Sequence, residues 1–163
     1  MNITNAAKEF AIAQHGTQKY GEHPYLYHLD RVSQVLSEFG YAEDEAIAAA
    51  GWLHDTLEDT ETTYEMLMSE FGKETADIVF AVTNELGTNR ELRLRKTALK
   101  IAANKKALIV KLADRIANTE ASLETNSKLY NMYSKEFLLF KELLYTDDAD
   151  LLPMWNRLIK AST

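Results

Sequence analysis

The sequence contains no cysteine, which excludes a disulfide framework and any thiolate metal site. Proline occurs twice and glycine six times in 163 residues. So little punctuation argues against many short strands and favours long helices over a sheet. No apolar stretch approaches the roughly 20 residues needed to span a bilayer. The start, MNITNAAKEFAIAQ, lacks a basic segment followed by a continuous apolar core, so it does not read as a signal peptide. Positive charge is scarce as well. Eighteen Lys and Arg stand against 25 Asp and Glu, for a net charge of −7 and a pI near 5.1. This balance speaks against extended nucleic acid or an anionic membrane as partner. It leaves room for a small anionic ligand, whose charge a bound cation and a local basic patch can meet. A soluble, cytoplasmic protein is expected.

The hydrophobic share of 46% and charged share of 26% are ordinary for a globular chain, and the length suits one domain over residues 1–163 with a real core. Helical periodicity dominates, so the expected fold is all-α, a compact bundle of several helices. An alanine-rich helix is expected over 4–14 with Thr4 as N-cap. Pro24 sits where a helix often starts, and from there Tyr25, Leu29, Val32, Leu36 and Phe39 recur at three- and four-residue steps until Gly40. A third helix is expected over about 43–57. A short fourth is capped by Thr62 or Thr63 and ends near Phe71-Gly72, and another runs from Lys73 toward Glu85. LGTNRELRLRKTALK (86–100) reads as a turn and a basic helix start, and 105–122 as a strongly apolar helix. Two further helices, about 128–145 and 151–160, flank TDDAD; they either cover the core or form a homo-oligomer face, and spacing does not choose.

Polar residues interrupt these apolar stripes. His28 shares one with Val32 and Val35. His54 and Glu58 are four apart, Asp55 and Asp59 form the neighbouring row, and Asp114 and Asn118 are again four apart in an apolar helix. Burying several carboxylates is expensive unless a cation or hydrogen bonds compensate, and that cost points to a metal. Two imidazoles and two carboxylates suit Mn²⁺, Fe²⁺ or Zn²⁺ better than Ca²⁺ or Mg²⁺. Such an ion would leave positions for water and substrate oxygen, lower the water's pKa and offset phosphoryl charge; Glu58 and Asp59 would then orient that water or shuttle protons. Taken singly, each feature has a plainer explanation: His28 as a hydrogen-bonded core histidine, the acidic run as solvated charge, Asp114-Arg115 as a local ion pair. Their co-occurrence on these helices favours the metal site.

The pattern His28, His54-Asp55, Asp114 resembles the H…HD…D arrangement of the HD-domain phosphohydrolases. The strings HDTLEDT (54–60), EFG (70–72), AVTNE (81–85) and LADRIAN (112–118), with HGTQKYGEHPYLYHL (15–29) upstream, are similar to the RelA/SpoT hydrolase branch, which includes small single-domain alarmone hydrolases. The likeness runs over about residues 4–123, with a looser match through MYSKEFLLFKELL (132–144). It implies an all-helical fold, one divalent ion, usually Mn²⁺, and removal of the 3′-pyrophosphate from guanosine tetra- or pentaphosphate. Carried over by motif, His28, His54, Asp55 and Asp114 would be metal ligands and Glu58 and Asp59 the acidic pair at the attacking water. Asn118 would lie against the nucleoside, and Lys19 near the base and phosphates.

Departures concern the substrate. Where the branch usually has Arg-Lys, this chain has Lys19-Tyr20, with His23 inserted before Pro24; Asn84 stands at a position commonly Lys, and Glu120 at one often Arg. Charge-assisted contacts contribute roughly 1–3 kcal/mol each, and Lys does not replace a bidentate Arg. Arg90, Arg93, Arg95 and Lys96 are the candidate replacements, or else a solvated basic face. Three functions compete: a pyrophosphohydrolase of an alarmone-like nucleotide, a hydrolase of simpler esters such as nucleoside monophosphates, and a non-catalytic nucleotide-binding sensor. The acidic pair, which a sensor does not need, speaks against the third.

Overall fold

The computed structural model describes residues 2–163. Its first helix, α1 (Ile3–His15), is capped by Asn2, whose side chain accepts from Asn5 N at 2.8 Å. Thr4 is therefore inside the helix, one residue past the true start. A hairpin follows: β1 (Lys19–Tyr20) pairs antiparallel with β2 (His23–Pro24), turning at Gly21 with φ +60, a conformation that glycine adopts without steric cost. The sequence pattern does not announce this small two-stranded element, which takes Pro24 out of the helix that proline placement predicts. The helix, α2 (Leu26–Glu38), begins two residues later.

The helix expected over about 43–57 is broken. α3 (Glu45–Leu53), capped by Asp44, stops before the His54-Asp55 pair, and a single turn α4 (Thr56–Asp59) follows. The break matters because His54 and Asp55 form the corner between two helices, and the four-residue spacing from His54 to Glu58 does not lie on one continuous face. α5 (Tyr64–Phe71) is capped by Thr63 rather than Thr62. α6 (Lys73–Val82) ends three residues short of Glu85, where Thr83 adopts extended backbone. α7 (Arg90–Ala102) and α8 (Lys105–Thr125) are capped by Asn89 and Asn104. The tail supplies α9 (Ser127–Leu144) and α10 (Leu152–Ser162), the latter with Pro153 in its first turn, where a missing N–H costs nothing.

α8 is the axis of the fold: α2, α3, α6, α7, α9 and α10 all pack against it. Its Leu112, Ala113 and Ile116 are fully buried. The tail covers this core, since Phe140, Trp155 and Leu158 are also inaccessible. α2 approaches α3 closely at Gly51, where an added Cβ would lie 2.7 Å from Leu36 Cδ1. Among the described residues, no helix is long and apolar enough to cross a membrane. The architecture is the all-α one expected, with the hairpin as a small addition, and it leaves a cleft between the His54-Asp55 corner, α2 and the middle of α8.

Candidate metal centre

Four side chains from three places converge in that cleft. His28 comes from the first turn of α2, His54 and Asp55 from the corner after α3, and Asp114 from the middle of α8. One donor atom from each lies within 4.8 Å of every other. His28 Nε2 is 3.1 Å from Asp114 Oδ1 and 3.7 Å from Asp55 Oδ2; His54 Nε2 is 3.0 Å from Asp55 Oδ2 and 3.3 Å from Asp114 Oδ1. The two imidazole Nε2 atoms are 3.3 Å apart.

The orientation of His54 is fixed from behind, because its Nδ1 donates to Gly51 O at 2.8 Å and leaves Nε2 facing the cluster. Asp55 accepts from the Tyr25 hydroxyl. Asp114 accepts from Asn118 Nδ2 at 3.0 Å and pairs with Lys111 at 3.2 Å. These surroundings set the charges. Burial opposes ionisation of Asp114, but Lys111 and the two histidines hold its carboxyl well below the usual range. Burial likewise opposes Asp55, and His54 brings it down to about 2. Burial disfavours the His54 cation, yet Asp55 and Asp114 outweigh it and hold the imidazole well above its ordinary value. The cluster is thus two carboxylates facing two imidazoles at the buried end of the cleft, each group's burial offset by the charge of its neighbours. Two nitrogens and two oxygens at these separations match the donor set of a borderline divalent cation.

The cleft has a volume of about 240 Å³. Glu58 and Asp59, on α4, line it but are more exposed than the four donors. Glu58 accepts from Asn84 N at 2.9 Å and from Asn84 Nδ2 at 3.4 Å. Asp59 accepts from Gln18 Nε2 at 3.0 Å. Asn118 lies at the opposite wall, where its Oδ1 accepts from the Tyr20 hydroxyl at 2.7 Å. The Tyr20 ring stacks on His28 with centroids 4.8 Å apart.

Other expected contacts lie elsewhere. Lys19 is exposed and lines a separate cavity of about 570 Å³ behind Tyr20, away from the four donors. Arg90 reaches the cleft, while Arg93 lines a second cavity beside it. Arg95 pairs with Glu91, and Lys96 donates to Leu86 O; neither lines the cleft. Glu120 turns outward to a two-pronged contact with Arg157 of α10, at 2.8 and 2.9 Å, so it adds no negative charge to the cleft. Asp114 does not pair with Arg115, which instead reaches Glu136 at 2.7 Å. Tyr25, Lys111, Arg115 and Tyr133 also line the cleft, although no motif in the sequence marks them. Lys111, three residues before Asp114 on one helix face, was detectable from spacing; Tyr133 arrives from α9 and left no such signal.

A family model described as HD domain matches residues 6–140. The chain is similar to a guanosine-3′,5′-bis(diphosphate) 3′-pyrophosphohydrolase of Aquifex aeolicus, 39% identical over 156 residues that make up 92% of this chain and 21% of the relative. It is also similar to the guanosine-3′,5′-bis(diphosphate) 3′-pyrophosphohydrolase MESH1 of Xenopus tropicalis, 35% identical over 117 residues, 69% of this chain and 65% of that one. The chain therefore spans about a fifth of the first relative and just under two thirds of the second. A solved structure of a metazoan SpoT ortholog that hydrolyzes ppGpp matches with TM-score 0.81 and 24% identity, over 99% of this chain and 94% of that one. A Listeria monocytogenes structure matches with TM-score 0.69 and 24% identity, over 89% and 96%. These two likenesses concern the fold alone.

Proposed function

The chain belongs to the HD domain family, and from that premise we propose that it is a divalent-metal-dependent phosphohydrolase that removes the 3′-pyrophosphate from a guanosine tetra- or pentaphosphate-like nucleotide. The observation that carries the reading is the convergence of His28, His54, Asp55 and Asp114 within 4.8 Å, with two further carboxylates, Glu58 and Asp59, on the wall of the same cleft. The pyrophosphohydrolase names of the relatives support the substrate class.

His28, His54, Asp55 and Asp114 would hold one ion, with Mn²⁺ the proposed metal and Zn²⁺ or Fe²⁺ the competitors for the same mixed donor set. A divalent ion bound there supplies Lewis acidity, making water a better nucleophile and offsetting phosphoryl charge. The rest is done by side chains. Glu58, held in place by the Asn84 amide groups, takes the proton of the attacking water, and Asp59 orients that water from the Gln18 side. Lys111 faces the same space and stabilises the negative charge that accumulates on the phosphoryl oxygens. Asn118 meets the nucleoside end once Tyr20 yields its hydrogen bond. Asn84, which stands where a lysine is common in the branch, thus serves the reaction by positioning Glu58 rather than by charge.

One observation favours a second reading. Tyr20 occupies the Asn118 oxygen that a nucleoside would meet, and the cleft around the four side chains measures about 240 Å³, which suits a simple phosphate ester such as a nucleoside monophosphate. A substrate panel separates the two. Purified protein with Mn²⁺ is given guanosine tetraphosphate and guanosine 3′-monophosphate, and pyrophosphate and phosphate are quantified by ion chromatography. Pyrophosphate release is expected; phosphate from the monophosphate with none from the tetraphosphate would transfer the assignment to the second reading.

A further inference from the structure

A second cavity of about 330 Å³ adjoins the metal cleft and shares Glu58, Asn84, Arg90, Lys111 and Arg115 with it. Four cations line it: Arg90, Arg93, Lys111 and Arg115. Most of the neighbouring carboxylates are already committed. Glu58 is held by Asn84, and Glu85 pairs with Lys100 at 2.9 Å. Lys111 is engaged by Asp114. What remains is three arginines and one carboxylate, which only two of them contact. Glu136 of α9 binds Arg90 at 3.0 and 3.3 Å and Arg115 at 2.7 Å. Arg93 makes no ion pair among the described residues, and the buried Arg115 retains one guanidinium nitrogen, Nη1, without a hydrogen-bond partner. Arg90 and Arg93 also sit in the first turn of α7, where the helix dipole repels cations and attracts anions. Such a placement is unfavourable for folding and favourable for binding a phosphate.

We propose that this cavity is a second anion subsite, which takes phosphate groups of the substrate remote from the bond being cleaved, and that Glu136 occupies it as an internal counter-ion until they arrive. An incoming phosphate competes with Glu136 for the Arg90 and Arg115 guanidinium groups, and Arg93 adds a contact that Glu136 does not use. Two such geometrically forked donors suit a phosphate better than ammonium groups do. The subsite makes Glu136 a specificity-determining residue: a substrate with a single phosphate at the metal cannot displace it, whereas one with a separate polyphosphate can. The inference deepens the function proposed above and rests on it for the identity of the arriving group.

Glu136→Gln keeps the side chain's size and its hydrogen-bond acceptor while removing the competing charge. Binding of inorganic pyrophosphate to the full-length chain, stripped of metal by a chelator, is measured by calorimetry, because without metal the carboxylate cluster repels the anion and the signal reports the second cavity. The variant is expected to bind pyrophosphate roughly tenfold more tightly, the size of one relieved charge–charge competition at a partly solvated site. With Mn²⁺ restored, the ratio of kcat/KM for guanosine tetraphosphate to that for guanosine 3′-monophosphate is expected to rise by a similar factor; a purely structural role would lower both together. Arg93→Gln, which breaks no ion pair at a half-buried position, is expected to weaken pyrophosphate binding roughly fivefold and decides the matter if Glu136→Gln does not fold. Pyrophosphate affinities within twofold of the parent in the folded variants overturn the subsite. Tightened pyrophosphate binding without turnover of guanosine tetraphosphate would retire the proposed substrate and leave the subsite standing.

Discussion

Asp114→Asn tests the metal centre at the residue with the most partners. Oδ1 of Asp114 faces His28 Nε2 at 3.1 Å, His54 Nε2 at 3.3 Å and Asn118 Nδ2 at 3.0 Å, while Oδ2 faces Lys111 at 3.2 Å. The asparagine keeps the shape and removes the charge. In the metal-free protein, Lys111 then loses its carboxylate in a nearly buried position and His54 keeps only Asp55, which costs about 1–3 kcal/mol. For a chain of this size each kcal/mol moves Tm by roughly 2–4 °C, so the metal-free variant melts about 2–12 °C lower. A metal supplied at about 100 times its Kd stabilises the parent by roughly 2.7 kcal/mol, which is about 5–11 °C on the same scale. Loss of a direct charged ligand weakens the ion by about 100-fold or more, since outer partners alone account for about 10–100-fold. At the same metal concentration the increment then shrinks to about 0.4 kcal/mol, or roughly 1 °C. Scanning calorimetry of both proteins, with chelator and with Mn²⁺, reads all four numbers. An Asp114→Asn protein that gains the full metal-dependent increment would refute Asp114 as a ligand, and with it the donor set.

Glu58→Gln is expected to lower kcat by roughly 10²–10⁴-fold, the usual contribution of a positioned base, while the Mn²⁺-dependent rise in Tm persists; loss of that rise would make Glu58 a ligand instead. Tyr20→Phe removes the hydroxyl that occupies Asn118 Oδ1 and is expected to lower KM for the nucleotide, measured by steady-state kinetics, because the substrate no longer competes for Asn118; an unchanged KM would mean that Tyr20 does not stand in the way. Asp44→Ala deletes the N-cap of α3 and the contact to Lys106 at 2.9 Å, costing about 1 kcal/mol at pH 7. Burial raises the Asp44 carboxyl, but the Ile47 N–H and Lys106 together hold it below the ordinary aspartate range. A depressed pKa places this stabilisation above the unfolded value and removes it as pH falls through the folded one. Urea denaturation should therefore separate parent and variant at pH 7, with the gap closing in acid; a gap that persists at low pH would contradict the charge-based account.

Apolar stripes and a shortage of glycine and proline made the helices legible, because each is a local property of the chain. The same locality singled out His28, His54, Asp55 and Asp114 as candidates, since a histidine or carboxylate inside an apolar stripe is conspicuous wherever the stripe ends up. Errors arose where tertiary packing overruled local pattern. The stretch 43–57 keeps helical spacing throughout, yet the backbone breaks at His54-Asp55. The break puts both side chains at one corner, where His54 Nδ1 is tied back to Gly51 O and Asp55 to Tyr25. Proline suits the first turn of a helix, yet the hairpin pairing of Lys19–Tyr20 with His23–Pro24 claims Pro24.

Which charges meet in the cleft was beyond the sequence, and this bears most on substrate. Glu120 and Asn84 look alike on paper as lost cations. In the folded chain Glu120 is withdrawn to Arg157 of α10, while Asn84 turns toward Glu58. Arg115 seemed a neighbour of Asp114 and is instead the partner of Glu136, from a helix 21 positions further along. Residues one apart on a helix point about 100° apart, so adjacency in the chain separated Asp114 from Arg115, and only the docking of α9 on α8 gave Arg115 its carboxylate. The sequence by itself determined an all-helical chain with two histidines and two aspartates suited to a divalent ion. The tertiary structure decided that they meet, how their charges are compensated, and which arginines stand beside them, because those outcomes depend on how helices pack across long separations rather than on the order of residues within one.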